Sequence, residues 1–308
     1  VCIMSVNPGF GGQSFIENTY NKVKALKELN IKADVIDVNS REFLFAPKYA
    51  AKVVMGGGPL MDIEELYLPN YLFELSKRGK NIEKVVFGCG LGPLNVPRYI
   101  NMTKRVLENA DRILVRDKKS KEVAHSYNQK LKVEVIPDSA RPYVQSIAER
   151  IRVDHNVENK KTIHCFFREW TQEYAPKDYS MNDYLAKKEE IEKKLVELIH
   201  LNREKYEADN VVLANMHNFV VGHDDRDFSR YFINKYFKDN DWISYDSGIT
   251  DVDNTVKLMK SSVLNICMRF HSMLFAHTLD TNFVAVDYTM GGKISNYLNE
   301  KNEQEKMI

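Results

Sequence analysis

The sequence predicts an α/β protein made of two doubly wound domains with parallel sheets. Short, β-branched runs that are apolar on both faces alternate with longer amphipathic stretches along the chain. This pattern is typical of buried parallel strands covered by helices. The length of 308 residues fits two domains, and a polar stretch at 137–161 interrupts the alternation. We therefore expect an N-terminal domain at residues 1–150 and a C-terminal domain at residues 151–308.

The apolar runs give the predicted strands. In chain order they are Val1–Val6, Ala33–Val38, Ala51–Met55, Lys84–Phe87, Arg112–Val115, Lys132–Ile136, Thr162–Phe167, Val211–Ala214, Trp242–Tyr245, Val263–Cys267 and Phe283–Val286. Between them, Asp62–Gly79 is a helical pattern with a basic last turn and a terminal glycine, and Asn182–Lys205 is the longest and most charged helix. The break before Thr162 favours two halves over one barrel of eight regular units.

Composition limits the function classes. Lys and Arg total 44 and Asp and Glu total 43, a formal net charge of +1 that gives no support for a nucleic-acid partner. The four cysteines form no C-x-x-C pair and predict buried thiols in a reducing compartment. The sequence shows no apolar run of about 18 residues, the length of a membrane-spanning helix, and no signal peptide. We therefore expect a cytoplasmic protein.

Three glycine-rich turns follow predicted strands of the N-terminal domain, at Asn7–Gly12, Gly56–Pro59 and Gly88–Pro93. Glycine allows backbone amides to approach a ligand closely, and the start of a following helix attracts an anion. These turns therefore indicate phosphate or carboxylate binding. For any single turn, the alternative is that a tight strand-to-helix connection needs glycine for its backbone alone.

Cationic side chains end two further apolar runs. Arg116 ends one run, and Arg269 and His271 follow another, which places them where ligands bind in parallel α/β sheets. Arginine can bind a carboxylate or phosphate through two hydrogen bonds, and imidazole exchanges protons near neutral pH. Lys293, after a Gly-Gly pair, offers a further ammonium group. The alternatives stay open: an ion pair of Arg116 with Asp117, a capping histidine, or a solvated lysine.

Two weaker groups of candidates lie in the C-terminal domain. Arg168 and His217 each follow a predicted strand. His223-Asp224-Asp225 brings together metal-ligand types, but no third histidine stands at ligand spacing. We therefore interpret this cluster as a polar loop and predict no metal site.

Five segments resemble, in the same order, elements of the polysaccharide pyruvyl transferase family. They are Gly56–Asp62, Gly88–Pro93, Val115–Ser120, Arg269–Ser272, and Asp287-Tyr288 with Lys293. The resemblance covers residues 50–298 or so, most of the chain.

The resemblance implies a fold like that of GT-B glycosyltransferases, with two Rossmann-like doubly wound domains facing a cleft. It implies phosphoenolpyruvate as donor, a lipid-linked or nucleotide-linked saccharide as acceptor, and no cofactor. The acceptor would bring the protein near a membrane surface. The implied catalytic residues are His271 and Arg269. The implied substrate-binding residues are Arg116, Lys293, Gly56, Gly57, Gly58, Asn7, Gly11 and Gly90.

The N-terminal 30 residues or so resemble instead the phosphate-binding loop of ribulose-phosphate 3-epimerases, most closely at Val1–Ile16. The chain beyond this segment does not continue the epimerase pattern, so epimerase activity is the least supported function. Two alternatives to pyruvyl transfer stay open. One is a GT-B-type nucleotide-sugar glycosyltransferase, and the other is a non-catalytic fusion protein that carries an epimerase-like segment.

Overall fold

The computed structural model of the chain describes residues 2–3, 30, 45, 51–56, 82–92, 94, 96–151, 160–176, 178–217, 223–289 and 292–308. The chain divides into two units, Val1–Ser139 and Ala140–Ile308. The described residues of each unit contain one sheet in which all neighbouring strands are parallel. This confirms the predicted α/β class with parallel sheets.

The sheet of the first unit has its described strands in chain order, β1-β2-β3-β4-β5. They are β1 (Cys2–Ile3), β2 (Lys52–Gly56), β3 (Glu83–Cys89), β4 (Arg112–Val115) and β5 (Val133–Val135). Helix α1 (Pro97–Glu108) follows β3, and α2 (Lys118–Tyr127) follows β4. Proline at the first position of α1 suits a helix start, because the missing amide would have no intrahelical partner there.

The sheet of the second unit has the order β10-β9-β6-β7-β8. Its strands are β6 (Thr162–Phe166), β7 (Asn210–Leu213), β8 (Ile243–Tyr245), β9 (Leu264–Cys267) and β10 (Phe283–Ala285). Its helices are α3 (Ala140–Arg150), α4 (Met181–Tyr206), α5 (Asp225–Tyr236), α6 (Val252–Ser261), α7 (Phe270–Thr278) and α8 (Lys293–Lys301). Short 3₁₀ turns lie at Gln172–Tyr174 and Gln304–Lys306.

Helices cover both faces of the second sheet. Successive residues of a strand point to opposite faces, so neighbouring residues of β6 belong to different cores. Ile163 and Cys165 of β6 belong to the core under α4 and α5, together with Leu195 and Phe232. Phe166, the next residue, belongs to the core on the opposite face under α3, α6, α7 and α8. This doubly covered sheet explains why the strands read as continuous apolar runs.

Helix α3 belongs to the second unit. Val144 and Ile147 are 0% exposed and lie in one core with Met273 of α7. The predicted boundary after residue 150 placed this helix in the N-terminal domain, whereas the packing divides the chain between Ser139 and Ala140. The helix was assigned by its place in a polar stretch, but two buried apolar side chains determine where it packs.

Each predicted strand that falls on described residues coincides with an observed strand to within a few residues. The longest predicted helix, Asn182–Lys205, is α4 at Met181–Tyr206. The predicted strand Ala33–Val38 and helix Asp62–Gly79 lie outside the described residues. Among the described helices, none combines the length and the apolar character needed to cross a membrane.

Candidate functional site

The strand order of the second sheet reverses beside β6. From β6 the chain moves outward through β7 to β8, and then returns to place β9 on the other side of β6. Connections leave β6 and β9 in opposite directions, and such a switch point at the carboxyl ends of parallel strands is where ligands bind in this class of fold. Arg168 and Glu169 follow β6, and Arg269 and His271 follow β9. The predicted catalytic pair therefore stands at this edge of the sheet.

Arg269 is held by a buried carboxylate. It is the N-cap residue of α7, and its Nε donates to Oδ1 and Oδ2 of Asp225 at 3.0 and 2.8 Å. Its Nη2 also donates to Asp225 Oδ1 and lies 3.5 Å from the His223 carbonyl oxygen. The Asp225 side chain is 1% exposed. The Nε and Nη2 groups of Arg269 therefore already donate hydrogen bonds to other residues of the protein.

Asp225 collects further hydrogen bonds from the loop that follows β7. The backbone amides of Met216 and His217 donate to its Oδ2 at 3.1 and 3.0 Å. Asp225 is also the first residue of α5, where the helix dipole favours a negative charge. One carboxylate thus ties the ends of β7 and β9 to the start of α5.

His271 lies in the first turn of α7, two residues after Arg269, and is exposed. Its ring meets Phe270 edge-on at a centroid distance of 5.6 Å. An exposed imidazole beside a fixed arginine can give a proton to a bound ligand or take one from it.

Arg168 supplies a second cation at the same edge, and it is buried, with 7% of the residue exposed. Its guanidinium carbon lies 4.7 Å from the ring centre of Tyr174 and 5.1 Å from that of Tyr288, and Nη1 donates to Tyr288 Oη at 3.2 Å. Burial raises the pKa of Tyr174 although the Arg168 charge opposes it, so a neutral phenol faces the guanidinium. The tyrosine of the Asp287-Tyr288 segment therefore packs against Arg168.

An acidic side chain lies at the rim of this edge. Glu169 forms an ion pair with Lys188 of α4, and its Oε2 is 3.4 Å from His223 Nδ1. His223, whose carbonyl oxygen faces Arg269, has a left-handed backbone with φ of 64°. These contacts connect the segment after β6 with the start of α5.

Lys293 is the first residue of α8 and is exposed. Gly292 precedes it as the N-cap residue, and a Cβ built there would lie 1.8 Å from Thr289 Oγ1. Glycine is therefore required for the close approach of this turn to Thr289. The turn fixes where the lysine side chain leaves the backbone.

In the first unit, the glycine turn after β3 is shaped by its backbone. Gly88 has a φ of +66° and lies at a register shift between Phe87 and Cys89, a conformation that favours glycine. Gly90 directly follows β3 and is buried, and the Leu91 amide donates to Ser120 Oγ at 2.9 Å. Gly56 is the last residue of β2. The hydrogen bond from Leu91 to Ser120 thus joins the glycine turn after β3 to the start of α2.

Arg116 follows β4, as predicted, and its side chain is 7% exposed. Its amide donates to the Cys89 carbonyl at 3.4 Å, and its Nε lies 3.5 Å from Asp117 Oδ2. Asp117 caps α2 by accepting from the Ser120 amide at 2.7 Å. The ion pair that the sequence left open as an alternative is therefore present.

Four predicted substrate-binding residues, Asn7, Gly11, Gly57 and Gly58, lie outside the described residues, as does most of the segment that resembles the epimerase loop. In the part of the chain that is described, no group of three or more His, Cys, Asp or Glu side chains is placed to hold a metal ion.

The profile of the family Polysaccharide pyruvyl transferase matches residues 20–289. The chain belongs to this family. The match includes Arg116, Arg269, His271 and the Asp287-Tyr288 segment, and ends before Lys293.

Two solved structures share the fold of this pyruvyl transferase family member. A putative UDP-N-acetylglucosamine 2-epimerase from Listeria monocytogenes is similar with a TM-score of 0.58 and 12% identity, over 92% of this chain and 72% of that one. UDP-GlcNAc 2-epimerase from Neisseria meningitidis, bound to UDP-GlcNAc, is similar with a TM-score of 0.55 and 12% identity, over 95% of this chain and 76% of that one. At this identity the likeness shows the fold alone. It confirms the GT-B-like α/β class.

Sequence reasoning missed the role of Asp225 in this pyruvyl transferase family member. The sequence of the cluster His223-Asp224-Asp225 predicts a polar loop, because it lacks a metal-ligand spacing. A signal was present: two successive aspartates stand immediately before an amphipathic run, where one can cap the helix and the other can point into the protein. Asp224 is indeed the N-cap residue, and Asp225 is the buried partner of Arg269.

Proposed function

We propose that the protein transfers a pyruvyl group from phosphoenolpyruvate to a saccharide as a ketal, in the biosynthesis of a cell-surface polysaccharide. Family membership supports pyruvyl transfer in polysaccharide biosynthesis. The observation that carries the proposal is an exposed imidazole, His271, two residues after an arginine that a buried carboxylate fixes at the switch point of the sheet.

The proposed reaction has two net proton transfers, one to C3 of phosphoenolpyruvate and one to the phosphate. It also breaks the bond between C2 and the phosphate oxygen. One saccharide hydroxyl loses its proton to a base of the site as its oxygen adds to C2 of phosphoenolpyruvate, and C3 gains a proton from an acid of the site to become a methyl group. The bond between C2 and the phosphate oxygen then breaks, and a second hydroxyl adds to C2. Its proton leaves with phosphate as the hydrogen phosphate ion. The site must therefore supply a proton donor and acceptor, and fixed positive charge for an anionic donor.

His271 is the proposed acid and base of these transfers, because its ring is exposed at the sheet edge. Arg269 is proposed to orient the first turn of α7 beside it. Arg116 and Lys293 are proposed to bind anionic groups of the substrates. Backbone amides at Gly56, Gly57, Gly58, Gly90, Asn7 and Gly11 are proposed to complete substrate binding.

The proposed acceptor is a lipid-linked or nucleotide-linked saccharide, met in the cytoplasm close to a membrane surface. A nucleotide-sugar glycosyltransferase is the second candidate, because a solved structure with this fold is bound to UDP-GlcNAc. A shared fold cannot decide between the two chemistries. The arginine and histidine at the switch point favour a small, highly charged donor.

The deciding experiment measures release of inorganic phosphate from phosphoenolpyruvate with a panel of lipid-linked and nucleotide-linked saccharides. In parallel, melting temperatures are measured with phosphoenolpyruvate and with UDP, since a ligand that binds the folded state raises the melting temperature. We expect phosphate release that depends on the acceptor, and stabilisation by phosphoenolpyruvate. Stabilisation by UDP without phosphate release would support the glycosyltransferase instead. Stabilisation by neither would support the non-catalytic alternative.

A further inference from the structure

We propose that Asp225 is the positioning residue of this site: it holds Arg269 and thereby sets the position of His271. Its carboxylate receives Nε of Arg269 on both oxygens, at 3.0 and 2.8 Å, and Nη2 on one. Such a forked contact fixes the plane of the guanidinium as well as its distance.

Asp225 acts through Arg269 and not on a substrate. Its side chain is 1% exposed, whereas that of Arg269 is 16% exposed. The amides of Met216 and His217 donate to the same carboxylate, so its orientation is determined from two directions. A side chain enclosed in this way can fix the position of Arg269, but it is not placed to contact a ligand itself.

The position of His271 depends on this pair through the start of α7. Arg269 is the N-cap residue, and its backbone carbonyl accepts from the Met273 amide at 3.2 Å and from Ser272 Oγ at 2.7 Å. His271 lies between these residues in the first turn. Releasing the Arg269 side chain would therefore free the turn that carries the imidazole. A misplacement of 1 Å in a catalytic group can cost about 100-fold in rate.

The inference rests on the proposed function for its activity readout, and the substitution that tests it is Asp225→Asn. An asparagine oxygen can still accept from the Met216 and His217 amides, but it cannot form the charged fork with Arg269. We expect kcat for phosphate release to fall by about 100-fold, with a smaller change in KM. Asp225→Glu restores the charge and is expected to recover part of kcat.

The matched control is Asp224→Asn, the same change one residue earlier. Asp224 caps α5 and pairs with Arg226, with Nε at 3.0 Å from Oδ1, so it belongs to a different aspartate–arginine pair. This variant is expected to keep the wild-type kcat. Equal loss in both variants would overturn the proposal.

A double variant separates positioning from an independent contribution. Two residues that act as one unit are not additive, so Asp225→Asn with Arg269→Lys is expected to lower kcat no further than the stronger single variant. Multiplied effects would overturn the inference. So would a lowered melting temperature with unchanged kcat per folded molecule, because that outcome indicates a role in stability alone.

A readout without substrate separates failure of this inference from failure of the proposed function. The imidazole resonances of His271, assigned by their loss in His271→Gln, are expected to shift in Asp225→Asn and to move back in Asp225→Glu. The Asp224→Asn spectrum is expected to match the wild type. If Asp225→Asn does not fold, Asp225→Glu and Arg269→Lys are compared in the same way. Unchanged His271 resonances would overturn the inference, whereas wild-type protein without phosphate release would overturn only the proposed reaction.

Discussion

His271 differs from three other histidines of the second unit, His164, His200 and His277, in its place at the switch point of the sheet. His164 is buried in the sheet, with Nδ1 2.6 Å from Ser262 Oγ. His277 is bonded to a tyrosine hydroxyl at 2.9 Å, and His200 lies 5.5 Å from each of two aromatic rings. His271 is exposed in a helix first turn at the switch point. Its place at the switch point is why we propose His271 as the acid and base.

Replacing His271 tests this role. His271→Gln is expected to lower kcat for phosphate release by about 10²–10⁴-fold, the usual contribution of a general acid or base. The melting temperature should stay close to the wild-type value because the side chain is exposed. His125→Gln, in α2 of the first unit, is the control and should keep full activity. Full activity in His271→Gln would exclude the assignment.

His164 predicts a pH dependence of stability. Burial lowers the pKa of His164 to about 4, although the charge of Asp246 opposes the shift. As the pH falls from about 6.5 to about 4, His164 becomes protonated in the unfolded chain but stays neutral in the folded protein. The free energy of unfolding is therefore not reduced by His164 above pH 6.5. It is expected to be lower by about 3 kcal/mol near pH 4 because of this group. Urea unfolding between pH 7 and pH 4 measures it.

His164→Gln removes the titrating group and should make the free energy of unfolding less dependent on pH across this interval. An unchanged pH dependence in the variant would show that other groups produce the acid sensitivity.

Among the helices, α5 begins at Asp225, and α4 contacts α5 through side-chain hydrogen bonds. Glu192 of α4 has a side chain that is 3% exposed. Its Oε2 accepts from Lys235 Nζ at 2.8 Å, from Tyr236 Oη at 2.9 Å and from Tyr231 Oη at 3.2 Å. All three donors belong to α5. The carboxylate of Glu192 therefore fixes the far end of the helix whose first residue anchors Arg269.

Removing this anchor should destabilise the second unit. Glu192→Ala deletes three hydrogen bonds to a charged group, and one such bond contributes about 1.5–3 kcal/mol, so we expect the free energy of unfolding to fall by at least about 3 kcal/mol. Urea unfolding of the full chain measures it. Glu190→Ala is the control, since Glu190 is on the same helix and its ion pairs with Lys187 and Lys194 are solvent-exposed. Equal destabilisation by both substitutions would contradict the prediction.

At the scale of the whole molecule, the sequence was most informative about strands. Strand β4 was predicted at Arg112–Val115 and is observed there, because an apolar run buried on both faces has few alternatives in a covered parallel sheet. The long charged helix α4 was also predicted within a residue at each end. Its start at Ser180 is a capping box, in which Ser180 and Asp183 bond each other's backbone amides.

The site was less predictable, because its geometry depends on residues far apart in the chain. Arg269 and His271 are predicted site residues because of their place after an apolar run, and their roles stay predictions. The partner of Arg269 is Asp225, 44 residues earlier, and local patterning carries no information about such a pair. The packing of Arg168 between Tyr174 and Tyr288 likewise joins the ends of two different strands. Strand order had to be known before these contacts could be inferred.

The domain boundary provides a test at the largest scale. Helix α3 lies between the predicted boundary after residue 150 and the observed division before Ala140. Its Val144 and Ile147 are 0% exposed, and burying one such side chain is worth about 1.5–3 kcal/mol. A fragment of residues 151–308 should therefore be less stable than one of residues 140–308 by about 3–6 kcal/mol, from two such side chains.

Urea unfolding of the two fragments, followed by circular dichroism, measures this difference. Val144→Ala and Ile147→Ala in the full chain are the matched controls, and each should destabilise the protein in the same direction. Equal stability of the two fragments would mean that α3 contributes no core to the second unit. A stability difference carried by these two side chains would show that buried apolar contacts, rather than the polar stretch at 137–161, determine where one unit ends and the other begins.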